Sequence, residues 1–302
     1  MTAILQKTIK SPISCTGIGL HSGINVNMAL RPAPVGTGIV FTRIDQGNAL
    51  LPAAYDLVAE TRLGTTLRNG DGVGLAAVEH LMAALWGCEI DNLFVDIDGP
   101  EVPAMDGSAA PFVFLMECAG VVEQGASRQA VRVCRSVEVI DGDKRIALTP
   151  ADDFSVDLLI DFDNPMIARQ SSCFHGGSFA FKTEISRART FGFANEVAAL
   201  HAAGFALGGS LENAVVVGEN RVLNEGGLRY DNEFVRHKTL DCVGDLYLAG
   251  APLLAHVDAH CSGHGLNNAV LRALFASDRN WKLEPVMSAL PSWSETAVAA
   301  EA

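Results

Sequence analysis

Three ionisable side chains, His237, Asp241 and Asp245, follow one another at intervals of four residues. Apolar residues at Phe234 and Leu240 recur at roughly helical spacing, which predicts a helix in this segment. Residues four apart lie on one face of a helix with 3.6 residues per turn. An imidazole and a carboxylate so placed can hold a metal ion between them, as paired histidines do in helical zinc motifs. One helix face supplies two ligands, so a third must come from another segment.

A second polar pair interrupts the otherwise apolar segment Leu75–Gly87, which is also predicted to be a helix that stops at Gly87. Glu79 and His80 are adjacent there, and burying a carboxylate and an imidazole without partners is costly. A metal site removes this cost, with His80 as a ligand and Glu79 as a base beside it.

A third candidate, His264, is flanked by Gly263 and Gly265, and the glycines predict a turn that exposes the ring. Each of these features alone is typical of an ordinary core or surface residue. Their co-occurrence in a chain with eight histidines favours a site. The histidines interpreted as structural or surface residues are His175, His201, His256 and His260.

The composition indicates a substantial core and no membrane span. Apolar residues make up 49% of the 302 residues, and the mean hydropathy is +0.22. The longest clean apolar run, Leu246–Ala255, is broken by Gly250 and Pro252, and a span needs roughly 20 residues. Met1–Lys10 lacks the apolar stretch of a signal peptide. We therefore expect no transmembrane segment and a cytoplasmic location.

Charge and cysteine usage narrow the function classes. The net charge of −13 argues against a nucleic-acid partner, and an anionic substrate must be met by locally placed Lys and Arg. The seven cysteines are scattered and lack C-x-x-C spacing, which is typical of reduced thiols in the cytosol. The glycine patterns of nucleotide-cofactor sites are absent.

Strand-like and helix-like segments occur in both halves of the chain, which predicts an α+β fold of two domains. We place the domains at 1–124 and 129–280, interpret 120–128 as a linker, and expect 281–302 to be a flexible tail. The predicted strands are 38–41, 65–67, 92–97, 131–140, 145–148, 155–160 and 214–217, and the further predicted helices are 109–119, 195–203, 234–248 and 266–275.

The motifs that carry a family resemblance are Thr16-Gly-Ile-Gly-Leu-His21-Ser-Gly23, Glu79-His80-Leu81, Met105-Asp-Gly-Ser-Ala-Ala-Pro-Phe112, Arg187-Ala-Arg-Thr190-Phe191-Gly-Phe193, Arg221-Val-Leu-Asn-Glu225, His237-Lys238-x-x-Asp241-x-x-Gly-Asp245 and Ser262-Gly-His264-x-Leu-Asn-Asn268. In order and spacing they resemble the UDP-3-O-acyl-N-acetylglucosamine deacetylases, zinc amidases of lipid A biosynthesis. The resemblance runs from about residue 4 to 276.

The resemblance implies two similar α+β domains packed as a sandwich with the metal site between them. Each domain would carry an inserted element, near Ala53–Val73 in the first and Phe193–Val217 in the second. It also implies Zn²⁺, or Fe²⁺ in the cell, bound by three ligands, and an acylated UDP-N-acetylglucosamine as substrate. The ligands would be His80, His237 and Asp241, and the general base would be Glu79.

The expected chemistry assigns roles to further residues. Two imidazoles and one carboxylate leave a zinc position for water, the pattern of a catalytic site. The Thr190 hydroxyl and a cation would stabilise the oxyanion. His264 could be that cation and could protonate the amine, while Asp245 orients it and keeps it charged. Lys238 points about 100° away from the ligand face, and we expect it to reach substrate.

Substrate contacts follow from the resemblance. Phe191 would contact the sugar, and the apolar stretch Asn195–Leu207 would form one wall of an acyl-chain passage through Leu200, Leu207 and Gly209. Without the resemblance, the same stretch is typical of an ordinary core helix.

Three other functions are weighed. A set of two histidines and one carboxylate also describes non-haem Fe(II) oxygenases. A non-catalytic protein that binds a sugar-lipid or a metal is the second alternative. A peptidase is the third, and the lack of an H-E-x-x-H motif disfavours it.

Overall fold

A computed structural model describes residues 2–287 of the protein. In the first half the strands are β1 Leu5–Ile9, β2 Ile13–Ile18, β3 Asn25–Pro32, β4 Ile39–Arg43, β5 Ala49–Pro52, β6 Val58–Glu60, β7 Thr66–Arg68, β8 Gly74–Leu75, β9 Leu93–Ile97 and β10 Val121–Ser127, and the helices are α1 Glu79–Gly87 and α2 Ala110–Ala119. In the second half the strands are β11 Gln129–Val133, β12 Val137–Asp141, β13 Lys144–Pro150, β14 Phe154–Asp161, β15 Arg169–His175, β16 Phe191–Phe193, β17 Val215–Val217, β18 Leu253–His260 and β19 Trp281–Pro285, and the helices are α3 Ser178–Ala180, α4 Val197–Ala202, α5 Glu233–Tyr247 and α6 His264–Phe275.

The two halves share one sheet topology. The first sheet has the order β2-β3-β9-β4-β5, and in the second sheet β12, β13, β18, β14 and β15 follow one another in the same way. In both sheets the successive pairings are antiparallel, antiparallel, parallel and antiparallel. A helix precedes and another follows the central strand in each half, α1 and α2 around β9, and α5 and α6 around β18. The α+β fold is thus confirmed, while the boundaries 1–124 and 129–280 stay a prediction.

Alternation along the central strands shows which face of each sheet is covered. In β9, Leu93, Val95 and Ile97 are buried and the residues between them are partly exposed, and β18 repeats this pattern. Burial with a period of two is expected when one face of a sheet lies on the core. Because α5 packs on β14 and β15 and α6 packs on β12 and β13, the helices cover the inner face of the second sheet.

The halves meet where α1 packs against α5. A Cβ atom at position 244 would overlap the carbonyl oxygen of Glu79, so Gly244 permits the close approach of the two helices. This contact brings the start of α1 next to the middle of α5, which is where the candidate ligands lie.

Several local predictions were wrong. The predicted linker contains β10, which pairs with β1, because alternating side chains let it complete a two-stranded sheet. The start of the predicted tail is β19, which pairs with β11. The remainder of that tail, 288–302, lies outside the described residues. The single predicted strand 131–140 is two strands, β11 and β12.

Both predicted inserts form local structure. The first contains β6 and β7, which form a three-stranded sheet with β8 just beyond the insert. The second contains α4 and β17, and β17 pairs in parallel with β16, whose last residue, Phe193, begins the insert. Among residues 2–287, no helix combines the length and the hydropathy that a membrane crossing requires.

Candidate metal centre and active site

Three side chains from the two halves converge on one point. His80 lies in the first turn of α1, and His237 and Asp241 lie one turn apart on α5. Asp241 Oδ1 is 3.4 Å from His80 Nε2 and 3.3 Å from His237 Nε2. One donor atom from each residue lies within 4.8 Å of the other two. The helix spacing read from the sequence therefore places His237 and Asp241 together, and the packing of α1 on α5 adds His80.

These residues fit a divalent cation. Asp241 Oδ1 is buried and accepts no hydrogen bond from the described residues, although it faces two imidazole nitrogens. A buried carboxylate oxygen without a donor is costly, and a bound cation removes the cost. Two imidazoles and one carboxylate are the ligand set of catalytic zinc sites, which keep a further position open.

His237 is held by the backbone of a neighbouring loop. Its Nδ1 atom lies 3.1 Å from the carbonyl oxygen of Ala188, so Nδ1 donates and Nε2 faces Asp241. Burial lowers the pKa of His237 to about 4, which keeps the ring neutral as a metal ligand must be. The next residue, Arg189, donates its Nε and amide protons to buried Glu233 at 2.8 and 3.0 Å, so the N-terminus of α5 anchors the loop.

Glu79 lies beside this cluster and is buried. Its Oε2 atom accepts the amide proton of Thr65 at 2.9 Å. Burial raises the pKa of Glu79, and the neighbouring charges of His264 and His80 act against that increase. A carboxylate whose pKa is raised towards the working pH is better suited to accept a proton.

His264 and Asp245 form a hydrogen-bonded pair on the other side. The Nδ1 atom of His264 is 2.9 Å from Asp245 Oδ2. Burial would lower the pKa of His264, but the charge and hydrogen bond of Asp245 prevail and raise it to about 9. The expected exposure of the ring was wrong: His264 begins α6 rather than lying in a turn, and its side chain is 11% exposed.

Lys238 does not have the free position that the helical angle suggested. Its Nζ atom lies 2.7 Å from Asp241 Oδ2, three residues along α5. A lysine stem is long enough to reach forward along the helix, and the buried carboxylate attracts it. The ion pair thus satisfies Asp241 Oδ2 and leaves Oδ1 directed at the two histidines.

Two cavities adjoin at the site. The smaller, about 40 Å³, is lined by Glu79, Thr190, His264 and the three candidate ligands among others. The larger, about 430 Å³, is mostly apolar and includes Phe191, Leu200 and Gly209 in its lining. The residues that line both are Leu20, His21, Leu63 and Thr190. A molecule could therefore occupy the apolar cavity and reach the three candidate ligands at once.

Leu207 departs from the expected acyl wall. Its side chain is 52% exposed, and it is not among the residues that line the larger cavity. Helix α4 ends at Ala202, so the segment beyond it turns and no longer continues the helical face that carries Leu200.

Comparison with known proteins shows which family this site belongs to. A sequence profile described as UDP-3-O-acyl N-acetylglycosamine deacetylase matches residues 6–276. The chain belongs to this deacetylase family. The match spans both halves, and so includes all three candidate ligands, Glu79 and His264.

Individual members of the deacetylase family are similar in sequence to this chain over nearly their whole length. The UDP-3-O-acyl-N-acetylglucosamine deacetylase of Acidithiobacillus ferrooxidans is 52% identical over 282 residues, which cover 92% of both chains. Its counterpart in Shewanella frigidimarina is 49% identical over 283 residues, 93% of this chain and 92% of that one. The counterpart in Idiomarina loihiensis is 48% identical over 282 residues, again 92% of both. The deacetylase family is metal-dependent, in agreement with the cluster at Asp241.

Sequence reasoning missed two contributors to the site of this family member. Thr65 was assigned to a strand, yet its amide and hydroxyl groups hydrogen-bond to Glu79 and Asp245. His21 was noted within a motif but given no role, and its Nε2 lies 3.1 Å from the carbonyl oxygen of Leu63. Glu101, which is buried, accepts the amide protons of His21 and Ser22. A threonine in a polar turn carries no signal of its own, because the partners lie far away in sequence.

Proposed function

We propose that the protein hydrolyses the N-acetyl group of UDP-3-O-acyl-N-acetylglucosamine, giving the free amine and acetate, in the committed step of lipid A biosynthesis. The observation that carries the proposal is the placement of buried Glu79 beside the donors His80, His237 and Asp241, next to an apolar cavity of about 430 Å³. Membership of the deacetylase family supports it. The reaction is the hydrolysis of an amide.

His80, His237 and Asp241 would hold the metal, which we propose is Zn²⁺, with Fe²⁺ as the alternative in the cell. A zinc ion bound there supplies a Lewis acid that polarises the acetamide carbonyl and lowers the pKa of a water molecule. The neutral ring of His237 has a nitrogen free to bind a cation, and Asp241 Oδ1 accepts no hydrogen bond from the described residues.

Glu79 is proposed as the general base. It removes a proton from the attacking water while the oxygen adds to the acetyl carbon. Burial raises the pKa of Glu79, so the carboxylate has more affinity for that proton than an exposed glutamate would. The Thr65 amide holds Oε2 at 2.9 Å and fixes the direction in which the carboxylate points.

Thr190 and His264 are proposed to stabilise the oxyanion that develops on the carbonyl oxygen. Both line the smaller cavity beside the ligands. Cationic His264 then gives its proton to the sugar nitrogen, the carbon–nitrogen bond breaks, and acetate and the free amine leave. Asp245 keeps His264 protonated and oriented through the 2.9 Å hydrogen bond. Lys238 neutralises the charge of Asp241 through their ion pair. A contact of Lys238 with substrate is proposed as a second role.

The larger cavity is proposed to hold the 3-O-acyl chain, with Leu200 and Gly209 in its wall and Phe191 near the sugar. Leu207 lies outside this proposal because it does not line the cavity. We also propose a cytoplasmic location, which rests on the nucleotide part of the substrate and on the scattered thiols of the sequence.

Acetate release from the acyl-UDP-sugar tests the function. The zinc-loaded protein is expected to release one acetate per amine formed, under nitrogen as well as in air. The variant Glu79→Gln, which keeps the size of the side chain and removes the base, is the matched control. Oxygen consumption in step with turnover would instead indicate an Fe(II) oxygenase, and unchanged substrate with retained binding would indicate a non-catalytic sugar-lipid binding protein.

A further inference from the structure

Thr65 contacts two groups of the proposed acid–base machinery at once. Its amide nitrogen donates to Glu79 Oε2 at 2.9 Å, and its hydroxyl donates a short hydrogen bond to Asp245 Oδ1. Thr65 is 1% exposed, so water cannot replace either bond. One residue therefore joins the base to the carboxylate that orients the proposed acid.

The hydroxyl bond fixes the rotation of the Asp245 carboxylate. Oδ2 accepts from His264 Nδ1 at 2.9 Å and from Asn267 Nδ2 at 2.8 Å, both on α6. Oδ1 accepts from Thr65, which enters from the opposite side. With donors on both oxygens, the carboxylate is held so that Oδ2 faces the imidazole.

The turn that carries Thr65 is itself fastened. It lies between β6 and β7, in the small sheet of the first insert. Leu63 has a positive φ of 61°, and its carbonyl oxygen lies 3.1 Å from His21 Nε2. A Cβ atom at Gly64 would lie 3.1 Å from Glu79 Oε1, so the turn packs directly against the carboxylate. A rigid turn of this kind can hold a side chain in place during turnover.

We propose that Thr65 is a positioning residue that holds Glu79 and Asp245 in fixed relation, and so keeps His264 aligned with the substrate nitrogen. The proposal rests on the proposed deacetylase function. It gives the inserted sheet of the first half a part in the reaction, in addition to any part in binding the acyl chain. Thr65 acts through Asp245 and Glu79 and does not itself touch the reacting atoms.

The test compares Thr65→Val with Thr65→Ser. Valine keeps the shape and the amide bond to Glu79 but removes the hydroxyl donor, whereas serine retains it. We expect Thr65→Val to lower kcat by about 10- to 100-fold, the usual effect of losing a group that orients a site residue, with KM and metal content nearly unchanged. Thr65→Ser should keep most of the turnover. Thr65→Ala repeats the comparison if the valine variant does not fold.

Two further measurements separate positioning from stability. Thr8→Val is the matched control, because the buried Thr8 hydroxyl donates to Asn92 O at 2.7 Å on β1, outside both cavities. It should lower the melting temperature without lowering kcat. In a double-mutant cycle, adding Thr65→Val to Asp245→Asn should cost much less turnover than Thr65→Val alone, because both changes disturb one unit.

The outcomes distinguish this inference from the proposed function. If the wild-type protein releases no acetate, the proposed function fails. If the wild-type protein is active and Thr65→Val matches it, or if Thr65→Ser loses as much turnover as Thr65→Val, the positioning role is overturned. Equal losses of kcat in Thr65→Val and Thr8→Val would likewise overturn it, because stability alone would then explain the effect.

Discussion

The Nδ1 atom of His237 lies 3.1 Å from the carbonyl oxygen of Ala188, while its Nε2 atom lies 3.3 Å from Asp241 Oδ1. The backbone thereby selects the tautomer of the ring and points the free nitrogen at the other candidate metal ligands. Arg189, which follows Ala188, forms an ion pair with Glu233 at the start of α5. The orientation of His237 therefore depends on this ion pair on the same helix.

Loosening that ion pair should weaken metal binding. We expect Glu233→Gln to lower zinc affinity by about tenfold or more, as is usual when a partner of a metal ligand is lost. Affinity is measured by competition with a chelator. Asp91→Asn is the control, because it disturbs the ion pair with buried Arg128 away from the site. Equal affinities in the two variants would argue against a link from Glu233 to His237.

Metal removal should abolish turnover. We expect a chelator to reduce acetate release to background and one equivalent of Zn²⁺ per chain to restore it, because His80, His237 and Asp241 form one cluster in the described residues. Metal content is followed by elemental analysis. Excess zinc should inhibit by binding at Glu79 and His264. Normal turnover by protein shown to be free of metal would remove the basis of the site assignment.

Removing either the proposed acid or the proposed base should lower the rate by a large factor. Glu79→Ala and His264→Ala are expected to lower kcat by about 10²- to 10⁴-fold, the range of general acid–base catalysis. Metal content should remain near one ion per chain in both, since neither residue belongs to the His-His-Asp cluster. Loss of zinc from His264→Ala would show that His264 is a ligand instead.

The pH profile of kcat/KM should be bell-shaped. Burial raises the pKa of Glu79, so activity rises with pH above the range of an ordinary glutamate as the base loses its proton. Despite burial, Asp245 raises the pKa of His264 to about 9, so activity falls as pH passes about 9 and the acid is lost. Asp245→Asn removes the charge that raises it and should move the alkaline limb to lower pH. An alkaline limb that stays in place would assign it to another group.

The apolar cavity should discriminate between acylated and deacylated substrates. Each CH₂ buried there adds up to about 0.8 kcal/mol of binding, so removing the acyl chain should cost several kcal/mol in kcat/KM. Leu200→Asp should penalise the acylated substrate far more than the deacylated one. Leu207→Asp, an exposed site a few residues away, is the matched control and should change neither. Equal penalties of Leu200→Asp on both substrates would mark Leu200 as ordinary core.

The sequence was most informative where local geometry alone decides the outcome. Spacing of four residues on a helix put His237 and Asp241 on one face, and a polar pair in an apolar segment marked Glu79 and His80. These inferences need no knowledge of tertiary structure. Their meeting in space depends on the packing of α1 on α5, which the family resemblance implied and periodicity could not.

Several of the predictions that failed depended on partners distant in the sequence or on side-chain conformation. The helical angle alone predicted that Lys238 points away from the ligand face, whereas its Nζ atom forms an ion pair with Asp241. The glycines beside His264 suggested exposure, whereas Asp245 and the surrounding helices bury it. Thr65 was missed because its two partners lie 14 and 180 residues away along the chain. Long-range electrostatics and packing leave no pattern in a single short segment.

The contact at Gly244 has a consequence for how the protein unfolds. Because α1 belongs to the first half and α5 to the second, a cation at the cluster would tie the two halves together by ligands from both. Binding to the native state alone adds stability according to ligand concentration and affinity. The metal would thus link the two halves. The metal-loaded protein should melt in one cooperative transition, and in the metal-free protein the halves should separate at a lower temperature.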